Sequence, residues 1–291
     1  MSLYFKRGTK LLFQDGTNTF EVLVSDFSVS DTFLEQGYAT DTLHNNIAIN
    51  EKIVINQKSN ANFSFSFSFS DSTQVERAIL RWYGLSDGGD RDYFPVSKAS
   101  LNEKRDVYIV TGGNLIIHID NAILENISFS LNPREALSAQ VTGSGVTTML
   151  SNTSVPTLGT TYTQGNFTNE ALVAEIAGNN IDRLTGVTLE FTKQIQWLDG
   201  NSVHEAANQA HYIKEYAYSS GLSVSGSITK LKTNNDEPTS STSSTIKILA
   251  GTFLEVYINN SSVTERVSIG GVLVQQSDFK AQDPYGSYIK F

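Results

Sequence analysis

Phe63-Ser64-Phe65-Ser66-Phe67-Ser68-Phe69-Ser70 alternates without a break, and Leu222-Ser223-Val224-Ser225-Gly226-Ser227-Ile228-Thr229 repeats the pattern in the C-terminal half. A period of two sends every apolar side chain to one face of a strand and every hydroxyl to the other. Both stretches therefore read as strands with one face in a core and one face wet.

The echo extends on both sides. Upstream, Asp26-Phe27-Ser28-Val29-Ser30-Asp31-Thr32-Phe33-Leu34-Glu35 matches Glu190-Phe191-Thr192-Lys193-Gln194-Ile195-Gln196-Trp197-Leu198-Asp199. Downstream, Ile117 to Asn121 resembles Val256 to Asn260, and Glu125 to Phe129 resembles Glu265 to Ile269 after a one-residue slip. Segments that recur in the same order are the mark of a duplicated unit. The boundaries expected are residues 1–150 for the first unit, 151–168 for a linker rich in Thr and Gly around Pro156, and 169–291 for the second unit.

The 291 residues hold 39% hydrophobic and 18% charged residues, no cysteine and five prolines, with a formal charge of -9. This is the composition of a folded chain rich in strand formers. Without cysteine there are neither disulfides nor thiolate metal sites. The acidic balance argues against adhesive nucleic-acid binding, which needs Lys and Arg to neutralise phosphates. No stretch approaches the apolar length of a membrane span, and the N-terminus lacks a secretory pattern, so the expectation is synthesis in a cytoplasm.

Leu3 to Asp15 reads as a first strand closed at Asp15-Gly16, and Phe20 to Leu34 as one long strand. Asp31 and Lys193 break the apolar parity of their strands. Gly37 to Asn60 and Gly200 to Ser220 read as extended hairpins that need a neighbouring subunit as cover. Asp71 to Leu85 is the helix candidate, with Val75, Ala78, Ile79, Trp82 and Leu85 on one face and Asp71 and Gln74 as a capping box. Asn234 to Thr245, its counterpart, has no helical pattern. Ser86 to Asp106 is a polar insertion.

Catalytic and metal chemistry find little support. His44, His118, His204 and His211 do not fall in a zinc-binding pattern. Asp87 to Asp92 lacks the spacing of a calcium-binding loop, and no nucleophile elbow or phosphate-binding glycine motif is present. Neither enzyme activity nor a cofactor is expected.

With the two-copy layout in place, the chain resembles the tail tube proteins of long-tailed bacteriophages, most of all the T5-type protein in which one polypeptide carries two tube folds. Asp106 to Thr142, Leu184 to Lys232 and Lys247 to Ala281 carry the resemblance. It is expected to depart from the family in lacking the extra C-terminal immunoglobulin-like domain that some relatives carry and in having no evident second-half helix. The resemblance implies a mainly β chain of two tandem β-sandwich, barrel-forming units with one or two short helices and projecting hairpins. It implies a structural protein of the virion tail: a homotrimer closing as a pseudo-sixfold ring, stacked into the tube of a siphovirus-like flexible tail that conducts double-stranded DNA. Partners would be further copies and the tape measure, tail terminator and distal tail proteins, with no membrane.

On that resemblance the lumen would be lined by Asp26, Ser28, Ser30, Thr32, Ser64, Ser66, Ser68 and Ser70 in the first copy. The second copy would add Glu190, Thr192, Gln194, Gln196, Ser223, Ser225, Ser227 and Thr229. Contacts within and between rings would involve Ile47, Ile49, Ile53, Ile55, Tyr93, Phe94, Tyr212 and Tyr216. Two alternatives stand beside the tube body. One is a tube-like ring at the tail tip or head-tail junction. The other is a two-domain adhesin or carbohydrate-binding protein using Trp82, Trp197 and the tyrosines as sugar platforms.

Overall fold

The computed structural model describes residues 9–22, 24–30, 33–38, 53–58, 60–69, 73–85, 93–96, 103–111, 116–150, 157, 171–198, 216–232, 241–269, 272–281 and 283–291. The alternating stretches are strands, as their period dictates. In chain order the first half supplies β1 (Lys10–Asp15), β2 (Asn18–Val22), β3 (Val24–Ser30), β4 (Phe33–Tyr38), β5 (Ile53–Lys58) and β6 (Ala61–Ser68). There follow α1 (Gln74–Tyr83), β7 (Tyr93–Pro95), β8 (Arg105–Val110), β9 (Ile116–Leu131) and β10 (Ser138–Leu150). The second half supplies β11 (Leu172–Ile176), β12 (Asn179–Asn180), β13 (Leu184–Leu198) and β14 (Tyr216–Leu231). It ends with β15 (Ser241–Ala250), β16 (Leu254–Ile269), β17 (Leu273–Ala281) and β18 (Tyr288–Lys290). The fold is mainly β, with one short helix among the described residues.

Sixteen strands join in one antiparallel sheet whose main path runs β12, β11, β15, β16, β17, β14, β13, β9, β10, β6, β3; β4 and β5 pair apart as a hairpin. The pairing order occurs twice. In the first half β2 pairs β1, β1 pairs β8, β8 pairs β9, β9 pairs β10, β10 pairs β6 and β6 pairs β3. In the second, β12 pairs β11, β11 pairs β15, β15 pairs β16, β16 pairs β17, β17 pairs β14 and β14 pairs β13. The two runs join where β13 adds to β9, from Val187↔Leu131 to Thr192↔Asn126.

Strands β9 and β16 are each 16 residues long and each changes neighbours midway. The turning points are Asn121 and Asn260, both at φ 53, a left-handed backbone that asparagine tolerates better than most residues. Before the bend β9 lies beside β8, and after it beside β13. Such corner strands fold a sheet over itself and enclose a core between its layers. At the corner β10 runs so close to β9 and β6 that a Cβ on Gly143 would meet the Ile123 carbonyl and come within 2.5 Å of the Phe63 ring.

The core takes the apolar half of each alternation. Phe63, Phe65, Phe67 and Phe69 are 1–2% exposed and form a row of rings 6.0–6.5 Å apart. Trp82 of α1 stacks on Phe13 and Phe63, and its indole N–H donates to the Ala122 carbonyl at 2.8 Å. Helix α1 starts later than the capping-box reading placed it. Its N-cap is Thr73, left-handed at φ 52 and without a side-chain cap, while Glu76 in the first turn complements the helix dipole. Asp71 lies outside the described residues.

Three further expectations need correction. The strand expected over Phe20 to Leu34 is divided: Phe20 belongs to β2, turned back on β1 at Gly16, and β3 begins at Val24. The polar insertion contains β7, whose Phe94 is fully buried and pairs with Ile289 of β18. Lys193 does not break its strand's pattern but follows it inward. It is 2% exposed, with Nζ donating to the Tyr83 carbonyl at 2.8 Å and lying 4.6 Å from the Tyr83 ring centre.

Burial pushes the Lys193 ammonium down to about 7 from its ordinary 10.5, against the opposing pull of Glu125 and Glu103. Between those two values the unfolded chain binds the proton and the folded chain does not, so stability rises with pH across that window. The slope contributed is at most about 1.4 kcal/mol per pH unit. Urea melts at pH 7, 8 and 9 should show this rise in the native chain and a flatter profile in Lys193→Met.

At Gly226, a Cβ would strike the Thr188 carbonyl and approach the Phe279 ring within 2.5 Å. Gly226→Ala should therefore cost about 1–3 kcal/mol, the usual range for overpacking, as measured by chemical denaturation.

Candidate functional site: a concave polar face

Opposite the aromatic core, the same strands carry the polar half of the alternation onto one continuous face. From β3 and β6 come Asp26, Ser28, Ser30, Ser64, Ser66 and Ser68, and from β13 and β14 come Glu190, Thr192, Ser223, Ser225, Ser227 and Thr229. Register places further members beside them. Gln140 lies across from both Ser66 and Ser128, and Glu190 lies across from both Ser128 and Ser225. Hence β9 and β10 contribute Asn126, Ser128, Ser130, Ser138, Gln140 and Thr142, in the middle of the face. β16 and β17 extend it with Ser262, Thr264, Arg266, Gln276, Asp278 and Lys280.

These contributions were not singled out from the sequence, although Asn126-Ile127-Ser128-Phe129-Ser130 and Ser138-Ala139-Gln140-Val141-Thr142 carry the same alternation. Of the residues that were, Thr32 and Ser70 lie outside the described residues. Gln194 and Gln196 are exposed on β13 beyond the end of its ladder with β9. Ile47, Ile49 and Tyr212 also fall outside the described residues; Ile53 and Ile55 lie on β5, and Tyr216 opens β14. Tyr93 is half-buried with its ring tilted against Tyr288, and Phe94 is enclosed in the chain's own core. Its ring is therefore not available to another copy.

The polar groups engage one another across strands. The Ser28 and Ser64 hydroxyls are 2.7 Å apart, and those of Thr188 and Ser227 2.8 Å apart. The Asn126 amide donates to the Glu190 carboxylate across the β9–β13 junction. Ser128 Oγ donates to the Gln140 backbone carbonyl at 3.5 Å, and along β17 itself Gln276 Nε2 donates to Asp278 Oδ1 at 2.6 Å. Charge on the face is mixed rather than wholly acidic. Asp26, Glu190 and Asp278 stand with Arg266 and Lys280, and Arg266 Nε is 3.0 Å from Asp278 Oδ2. The sequence reading of this surface, from β3, β6, β13 and β14 alone, contained no cation.

The face is hollowed. A depression of about 340 Å³ spans five strands, with Ser66, Ser128, Ser138, Gln140, Thr188 and Glu190 in its wall. The depression crosses β6, β10, β9, β13 and β14, the middle of the polar face.

A second cluster sits away from this face. Asp106, His118 and Asp120 have donor atoms within 4.8 Å of one another at the β9 bend. Burial, followed by the hydrogen bond and charge of Asp106, raises the Asp120 carboxyl above its ordinary range. Asp106 also accepts from the Asn121 N–H at 3.4 Å, and the His118 ring stacks on Tyr108 at 4.5 Å. These contacts brace the left-handed residue at the corner. Trp82 is fully buried, which removes it as a sugar platform.

No curated protein sequence matches the chain. A model of the Bacteriophage Baseplate Tube Protein Family matches residues 5–287. The match covers nearly the whole chain, and the chain belongs to that family as a structural component of the phage tail.

Proposed function

We propose that this chain is a duplicated tube unit, and that three copies close into a ring at the baseplate end of the tail with the concave hydroxyl face lining the path of DNA. The observation that carries this reading is the β13–β9 junction. It joins two runs of identical pairing order inside one chain, so it serves as a template for joining chains. On that template, β3 occupies the place of β13, and the distal part of β16 the place of the distal part of β9.

The edges left over fit the template. Among the described residues, β3 pairs with a strand on one side alone, β6. β16 pairs with β15 as far as Val263, and among the described residues it has β17 alone beyond that point. Phe27 and Val29 of β3 are half-buried, whereas Phe191, the match of Phe27, is 1% exposed with Phe129 of β9 edge-on at 6.3 Å. Val267 of β16 is 42% exposed. Strand edges of this length are an aggregation hazard unless paired, and a head-to-tail ring consumes both.

The family's name favours a tip ring over the repeated tube body. A purified tip ring should halt at one layer or a short stack in negative-stain images, whereas long tubes would return the chain to the tail body. The neighbours on this reading are the tail tube above and the proteins of the tip below.

Val267→Lys introduces a charge into the proposed seam at a position already open to solvent. Its melting temperature should stay near the native value while association weakens at least tenfold by native mass spectrometry. Rings of undiminished stability would place the seam elsewhere.

For the DNA path, hydroxyls that bond one another leave few donors for phosphates, and the few cations give little counterion release to trap a duplex. Asp26→Lys with Glu190→Lys should leave assembly intact while slowing genome ejection, with the rate recovering as salt is raised. Unchanged ejection by assembled double-mutant particles would remove these residues from the lumen.

A further inference from the structure

We propose that Lys193 is a latch that fixes the posture of the distal β13–β14 hairpin against the first half of the chain. The ladder of β13 with β9 ends at Thr192↔Asn126, and that of β14 with β17 ends at Val224↔Ala281. Beyond those points Gln194–Leu198 and Tyr216–Ser220 pair with each other, as an arm that lies past the end of both ladders.

The arm leaves the sheet at a pivot. Pairing passes from Lys193↔Leu222 to Gln194↔Ser220, so Gly221 is an extra residue on β14, and it takes the left-handed φ of 67. A bulge with left-handed glycine bends a strand pair and increases its local twist. At this pivot the Lys193 side chain turns inward and its amine donates to the carbonyl of Tyr83, the last residue of α1. Four residues further out, the Trp197 indole N–H donates to Ser144 Oγ at 2.8 Å, and Ser144 donates in turn to Glu125. The arm is thus held to α1 and β10 by two directed polar contacts rather than by a backbone ladder. Single polar contacts of this kind are weak beside the stability of a whole sheet, so they can be released without unfolding it.

Any role of the arm between rings rests on the tube reading, but its posture is a property of the single chain and is tested there. Hydrogen exchange on the full chain should show amides of residues 194–198 and 216–220 exchanging at least tenfold faster in Lys193→Met, while β6 and β9 keep native protection. Trp197→Phe, which removes the outer contact at a half-buried site, should loosen the arm to a smaller extent and gives the same readout if Lys193→Met does not fold. Native protection of the arm in the variants, or equal acceleration across β6 and β9, would show that Lys193 merely fills the core and would overturn the latch.

Discussion

A strand edge in water is a row of amide and carbonyl groups awaiting a partner, and the architecture follows from which edges this chain satisfies itself. At β9 it does so along most of the strand. The first part of the strand lies beside β8, the bend at Asn121 redirects it, and the second part receives β13. The effect on packing is visible in two matched phenylalanines. Phe191 is enclosed because β9 lies beside its strand, and Phe27 is half-buried because β3 has a strand on one side alone among the described residues. One backbone ladder therefore decides whether an aromatic ring is core or surface. Burying a side chain of that size is worth about 1.5–3 kcal/mol.

The polar face is governed by the same geometry. Hydroxyls two residues apart along each strand fall opposite hydroxyls on the next, and pairs such as Ser28 with Ser64 and Thr188 with Ser227 satisfy each other. A surface of this kind stays wet and neutral without projecting long flexible cations. The exceptions occur where β16 and β17 extend the sheet, and there Arg266 is held by Asp278. A cation engaged with a carboxylate on the same wall is a weaker trap for phosphate than one in open solvent, because binding must first separate the pair.

Alternation made the strands and their faces legible in the sequence, since period two depends on local chirality alone. The recurrence of Ile117 to Asn121 as Val256 to Asn260 also marked both corners, although nothing in those residues showed that the chain turns there. What sequence left hidden was pairing at long range. Ser128 and Gln140 belong to the polar wall because of register between β9, β10 and β13, and no local pattern reports register. Phe94 was misplaced for a similar reason: its segment is polar, yet it is buried because β18, nearly two hundred residues later, pairs with it. Lys193 looked like an error in a pattern because its partner is the backbone of a helix 110 positions away.

On the duplication reading, the two halves differ in ways that a single-copy subunit could not sustain. Where the first alternation places Phe67 opposite Ala139, the second places Gly226 opposite Phe279, so the large ring has moved to the partner strand and the volume is conserved across the pair. Helix α1 has no counterpart among the described residues of the second half, and the Lys193 contact to its C-terminus has none either: the match of Lys193 is Val29. In a ring of six identical subunits every junction would be the same. On the ring reading, fusion of two units makes alternate junctions different, three within chains and braced by Lys193 on α1, and three between chains with Val29 in that place. Such a ring has its weaker joints where separate molecules meet, so it can assemble from folded chains while the junctions inside each chain stay closed.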